Sequence, residues 1–368
     1  MTDILKQLEQ KISDSTGVEK IEYLNQYAWE LQRTNPNEAL RHAEQAHFLS
    51  TSSKYEKGKA YSLKTLGVVY RNMGHYTMSL NFHKMAQEIF DHLDEPLGRG
   101  NNLNNMGSVY RGLENYNKSL EYHLAALKIF ENNNNQVGQA NVISNIGIVY
   151  KLLGDHDRAV FFYMKGLELF SEIKNEHGQA NCLNNLANIH ASQLLFDKAL
   201  TCHMKSLKIR EANQDHFGVA TSMLNIGIVY YELKQLPKAK EFLIDALEKL
   251  HTHSDRNGIS FAYETLGNIC LEEENQSGAC DYFFQMLDVA NEIGSKERIM
   301  SAHKGLYTTA KAQNKLDEAI YHLELYQGFQ AEHLNNQSEE KIKNLQLSYE
   351  LEVVEKEAEL QSLRFSTK

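Results

Sequence analysis

The chain holds 16 histidines, enough to prompt a search for metal or acid–base chemistry. Three of them, His83, His123 and His203, stand at multiples of 40 residues from one another. If these lie on neighbouring helical hairpins, equivalent positions are about 10 Å apart. Two imidazoles sharing one ion must each approach it to about 2 Å. The row therefore reads as packing or surface histidine, and no metal is expected. Cys182, Cys202, Cys270 and Cys280 form no C-x-x-C pair and read as buried thiols of a reducing compartment. No G-x-S-x-G, no H-E-x-x-H and no glycine-rich phosphate loop occurs, and the carboxylates are dispersed. Neither a catalytic residue nor a cofactor is expected.

Two other groups of residues could bind rather than react. Asn105, Asn145, Asn185 and Asn225 are 40 residues apart, and Asn101, Asn141 and Asn181 stand four residues before the first three. A carboxamide both donates and accepts, so a ladder of them can bond the main chain of an extended peptide whatever its side chains. The plainer alternative is that each Asn ties one helix to the next. The second group is basic: Lys64, Arg71, Arg111 and Lys151, giving way further along to Ile148, Leu224, Ile228 and Tyr231. The basic residues would select acidic side chains and the apolar ones would accept apolar side chains. Here too a plainer reading stands, in which exposed charges pair with neighbouring helices at little energetic consequence.

The elements that position these residues repeat. Leu66-Gly67-Val68-Val69-Tyr70 returns as Met106 to Tyr110, Ile146 to Tyr150 and Ile226 to Tyr230, with weaker copies at Leu186 and Leu266. A row of small residues, Ala39, Ser79, Ser119, Ala159, Ala199, Ala239, Ala279 and Ala319, keeps the same step. Turn-forming pieces such as Met73-Gly74-His75 separate two apolar-periodic helices in each copy. With only 3 Pro and no alternating strand pattern, the chain is all-α.

The pattern Leu-Gly-x-x-Tyr, an aromatic after the turn (Tyr76, Tyr116, Phe196) and then a small residue resembles the tetratricopeptide (TPR) family over nearly the whole chain. The long version resembles proteins whose repeats carry G-x-A-x-x-x-N-L-G. The resemblance implies an α-solenoid of about eight hairpins in a right-handed superhelix, whose first helices line a concave groove. It would place the Asn and basic rows in that groove. The ordinary repeat has about 34 residues; the extra length here is expected in both helices and in linkers such as Asp94 to Gly98 and Asp255 to Gly258.

Residues 1–19 read as an N-terminal helix and cap, 20–337 as the array and 338–368 as a charged helix. Leu347, Leu351, Val354 and Ala358 form a short coiled-coil seam in that last helix. It is expected to support a weak homodimer through residues 340–364 or to cap repeat eight.

A formal net charge of -10 and a sequence pI of about 5.9 argue against nucleic acid or anionic lipid as partners. Without a signal peptide or an apolar span the protein is expected in the cytoplasm. The function expected is non-catalytic binding of a protein or peptide, as the adaptor or sensory part of a bacterial signalling protein. An output domain beyond residue 368 would make the chain a sensor arm. The rivals are a dimerising scaffold and a regulator resembling the Rap proteins. Against the latter, the stretch ahead of the array is too short for the helical bundle that the Rap proteins carry there.

Overall fold

The computed structural model describes the backbone of residues 3–366 and the side chains of residues 4–351 and 353. Those residues form helices joined by short turns, with no strand among them. Two helices open the chain, α1 (Asp3–Asp14) and α2 (Gly17–Leu31). They are followed by α3 (Pro36–Ser52), α4 (Glu56–Asn72), α5 (Tyr76–His92), α6 (Pro96–Gly112), α7 (Tyr116–Asn132), α8 (Gln136–Leu152) and α9 (His156–Glu172). Then come α10 (Glu176–Ser192), α11 (Phe196–Ala212), α12 (His216–Glu232), α13 (Leu236–Thr252), α14 (Arg256–Glu272), α15 (Gln276–Glu292), α16 (Lys296–Ala312) and α17 (Leu316–Ser366). From α2 onward consecutive helices pair as hairpins, α2 with α3, α4 with α5, α6 with α7, α10 with α11, α12 with α13 and α14 with α15.

The period of the repeat has a simple origin. Every helix from α3 to α16 has the same length, and the same short turn separates each from the next. One helix with its turn therefore advances the chain by half a repeat, and a hairpin completes it. This corrects the expectation of lengthened linkers: Pro96 to Gly98 and Arg256 to Gly258 are already helical. All the added length is in the helices. Each turn is a helix C-cap in which one residue takes positive φ, at every twentieth position from Lys54 to Asn314. The next N–H reaches back five residues, as Tyr55 to the Ser50 carbonyl (2.8 Å) and Leu195 to the His190 carbonyl (2.8 Å). That 6→1 bond satisfies a carbonyl the helix end leaves open. Asn135, Asn175, Asp215 and Asp255 then cap the following helix, each accepting from the N–H three residues on.

The repeating glycines mark where side chains from neighbouring helices press on the backbone. A Cβ on Gly67 would lie 2.7 Å from the His83 ring, on Gly107 2.8 Å from His123, and on Gly227 2.7 Å from Leu243. The small-residue row backs this contact, for Ser79 and Ser119 donate hydroxyl hydrogen bonds to the Gly67 and Gly107 carbonyls at 2.6 and 2.7 Å. The glycine at the third position of the leading helix serves the next joint. Gly98, Gly138 and Gly178 receive the rings of Phe90, Phe130 and Phe170, at 2.4, 2.4 and 2.3 Å from a would-be Cβ. The first hairpin exchanges the sizes: Tyr27 stands one repeat before Gly67, and Ala43 one repeat before His83, both fully buried.

The chain forms two compact units, residues 1–162 with 341–368 and residues 163–340. In the first, the leading helices pack directly on one another, α2 on α4, α4 on α6 and α6 on α8. The second unit repeats this with α12, α14 and α16. Second helices meet mainly their sequence neighbours, so the leading helices line the inner side of each unit.

In the first unit the 341–351 stretch of α17 lies on α5, α6 and the α6–α7 turn. Leu351 is buried with Leu80, Met106, Val109, Tyr110 and Leu113, and Leu347 packs beside it. Asn115 Nδ2 donates to Ser348 Oγ at 2.7 Å. The expected cap on repeat eight is therefore replaced by docking on the second and third hairpins. Two seam leucines are thereby used within one chain. Val354 and Ala358 lie outside the residues with described side chains.

Candidate binding face

The Asn ladder lies on the leading helices, where its period placed it. Asn101 and Asn141 are exposed, while Asn105 and Asn145 beside them are half-buried, all in the first unit. Asn181 is exposed and Asn185 and Asn225 half-buried in the second. Several of these carboxamides also hold the stack together. Asn145 Nδ2 donates to Asn104 Oδ1 at 3.0 Å, an oxygen that also accepts from His123 Nδ1 at 2.8 Å. Asn225 Nδ2 donates to Asn184 Oδ1 at 3.1 Å. Asn181 Oδ1 accepts from Arg210 at 3.1 Å. Asn105 differs: its Nδ2 is shielded from water and bonded to nothing among the described residues. The amide nitrogens of Asn145 and Asn225 thus point sideways along the stack.

Arg210 was not foreseen. It stands one repeat after Phe170 and takes that ring's place, with Nη1 donating to the Gly218 carbonyl at 2.7 Å and to Ser222 Oγ at 3.3 Å. The only sequence signal was an arginine at a register that holds Phe90, Phe130, Phe170 and Leu250 in neighbouring repeats.

The basic residues divide by environment. Arg71 is half-buried and donates to Asn72 Oδ1 at 3.0 Å. Burial first, and then repulsion from Arg111 and Arg33, pull its pKa down to about 10. Arg33 and Arg111 thus each repel Arg71 at the turn end of the leading helices. Arg111 and Lys151 are half-buried. Lys64 is different in kind, buried at 8% exposure, its ammonium 4.6 Å from the Trp29 ring centre and 4.8 Å from that of Tyr61.

The apolar residues are less available than their register suggested. Leu224 is buried at 6% exposure, and Ile228 and Tyr231 pack against the same core cluster. Tyr231 is held up at about 12 by burial and then by Glu272, the carboxylate that also pairs with Lys234 at 2.6 Å. Ile148 is half-buried.

The histidine row is packing. His83 and His123 are fully buried over Gly67 and Gly107, and burial drives both pKa values down to about 3. His83 Nδ1 donates to Asn102 Oδ1 at 2.7 Å. His203 falls to about 4 for the same first reason, with Arg210 adding to it. Among the described residues no three histidine, cysteine or carboxylate side chains converge as metal ligands would, and no helix is long and apolar enough to cross a membrane.

The tetratricopeptide repeat family model matches residues 99–172 and 178–250, and the helix and turn lengths of those stretches continue on either side of them. Residues 99–172 and 178–250 carry tetratricopeptide repeats. Comparison of the sequence with curated proteins gave no match. Among solved structures, the chain is similar to a signal transduction ATPase with numerous domains and a TPR sensor from Pyrococcus horikoshii. The TM-score is 0.67 at 13% identity, over 93% of this chain and 55% of that one. It is also similar to the apo form of the quorum sensor NprR from B. thuringiensis, at TM-score 0.65 and 12% identity over 89% and 92% of the two chains. A Rap protein complexed with competence and sporulation factor matches at 0.56 and 16%, over 89% and 93%. At these identities the likeness is one of fold.

Proposed function

We propose that this TPR protein is a non-catalytic binding module, the adaptor or sensory part of a bacterial signalling system, which takes an extended protein segment on the inner face of its leading helices. The observation that carries the reading is the first unit's inner face. There Asn101, Asn105, Asn141 and Asn145 offer main-chain partners beside the Arg33, Arg71 and Arg111 cluster. A guanidinium repelled by two others, Arg71 by Arg33 and Arg111, favours an acidic partner. In the second unit, Asn185 and Asn225 with the half-buried Ile228 and Tyr231 offer a less charged surface. The likeness to a quorum sensor and to a Rap protein complexed with competence and sporulation factor supports a binding role.

A peptide array followed by titration tests this. Asn101→Ala with Asn141→Ala should weaken all partners alike, by about 0.5–1.5 kcal/mol per lost bond. Arg71→Gln should weaken acidic partners selectively and flatten the salt dependence. Partners that bind both variants as tightly as the native chain would sink the proposal. The Asn104–Asn145 and Asn184–Asn225 ties favour a second reading, a scaffold whose asparagines only join hairpins, and that outcome would leave it standing.

A further inference from the structure

Lys64 lies in a cleft of about 360 Å³ between α2 and α4, within the first unit. Its walls include Trp29, Tyr55, Tyr61, Asn25 and Glu22. Tyr61 and Lys64 stand one repeat before Asn101 and Asn104, so the inner-face positions that carry carboxamides further on here carry a ring and a cation. The ammonium is held between two aromatic faces and makes no hydrogen bond or ion pair among the described residues. The nearby carboxylates are engaged elsewhere. Glu22 accepts from the Tyr55 hydroxyl at 2.9 Å, and Glu95 pairs with Lys57 at 3.4 Å.

The same register in the second unit shows what a satisfied version looks like. Phe261 and Glu264 stand five repeats after Tyr61 and Lys64. Arg298 lies over Phe261 at 3.7 Å and donates to the Glu264 carboxylate at 2.7 Å. There the chain supplies ring, cation and anion together. At Lys64 it supplies the rings and the cation, and the anion is missing. A buried cation without a partner is costly, whereas one lining an open aromatic cleft is poised to be neutralised by a ligand. A cleft of this volume falls in the range of small-molecule sites.

We propose that the α2–α4 cleft binds a carboxylate with a flat apolar body, the acid group on Lys64 Nζ and the body against Trp29, Tyr55 and Tyr61. The site does not depend on the asparagine ladder. It is ready to receive either a free organic acid or the carboxyl end of a peptide, which share this chemistry.

Trp29 is the sole tryptophan of the chain, so its emission reports the cleft directly. The full chain is titrated at pH 7 with 3-phenylpropionate, with the neutral 3-phenylpropionamide, and with acetyl-Gly-Phe carrying a free or an amidated C-terminus. A saturable change with the acids, at least tenfold weaker with the amides and with Lys64→Met or Lys64→Gln, is the expected result. Equal binding of acid and free-ended dipeptide assigns the site to a free acid, and tenfold tighter dipeptide binding assigns it to a chain end; both uphold the carboxylate site.

Burial pulls the Lys64 ammonium down to about 8, so binding should also fall about tenfold or more between pH 7 and 9.5. The other charged or titratable groups facing it are Glu22 from α2, Tyr55 from the turn before α4, Lys57 and Tyr61 on α4, and His83 from α5. Burial holds Tyr55 up at about 12 and His83 down at about 3, so both stay neutral throughout. No saturable change with any acid, acid and amide binding alike, or undiminished binding by a folded Lys64 variant would overturn the proposal. The acid and amide arms use the native chain and need no variant to fold. Loss of ladder binding in Asn101→Ala with Asn141→Ala leaves this result untouched, so the two readings fail separately.

Discussion

A single side chain shows how the repeat uses histidine. His203 is buried, its Nδ1 has no partner among the described residues, and Leu243, one repeat on, fills the same register. The fold holds all three row histidines neutral, with pKa values of about 3, 3 and 4 against 6.5 unfolded. The unfolded chain therefore binds protons first as pH falls. Stability is full above about pH 6.5 and is lost progressively toward pH 4. Replacing His203 with Leu should leave stability at pH 7 unchanged or raise it by about 1 kcal/mol, since an unpaired buried nitrogen disappears. It should also flatten the acid loss. Melting curves between pH 7 and 4 check this, and a variant as acid-labile as the native chain would contradict the assignment. That histidine row was legible as packing because its period excludes a shared ion. The Lys64 box was not, because Trp29 stands one repeat before Val69, a core register, and nothing in the spacing says that its ring turns toward α4.

At the scale of the element, the turns are where sequence and structure parted. Pro96-Leu97-Gly98 looked like linker, yet proline suits the first turn of a helix, where its missing N–H costs nothing. The glycine two residues on is required by the Phe90 ring rather than by a bend. Conversely, the position that does need left-handed backbone carries glycine at Gly74, Gly154 and Gly294 and a side chain at eleven others. Leu194 is among these, 73% exposed with φ 59°. Leu194→Gly should stabilise the chain by roughly 0.5–1 kcal/mol, the relief of left-handed strain set against a freer unfolded state. Thermal or urea unfolding measures it. Destabilisation would mean that the Leu194 side chain makes a contact worth more than the strain. The fold itself was readable because glycine, the small residue and the aromatic each recur at the point where two helices must approach, and each is hard to replace there.

On the scale of the molecule, α17 is the feature that local pattern could not place. Its leucine spacing suggested a dimer seam, and a seam looks the same whether its partner is another chain or a distant part of its own. The docked stretch buries Leu351 and ties Ser348 to Asn115. Ending the chain at Glu340 should therefore lower the stability of the first unit by about 1.5–3 kcal/mol, the worth of one buried leucine, with faster hydrogen exchange in α6. Light scattering should give a monomer mass for both lengths. A dimer that dissociates on truncation would show that the seam joins two chains instead.

Partner binding on the inner face formed by the leading helices can be mapped directly. The most direct measurement places a photo-crosslinking side chain at Asn141, exposed on α8, and separately at Leu124, 50% exposed on the second helix α7, and irradiates each with a peptide selected from the array. Inner-face binding gives an adduct at position 141 that unlabelled peptide competes away, and none at 124. Competed adducts at 124 with none at 141 would contradict it.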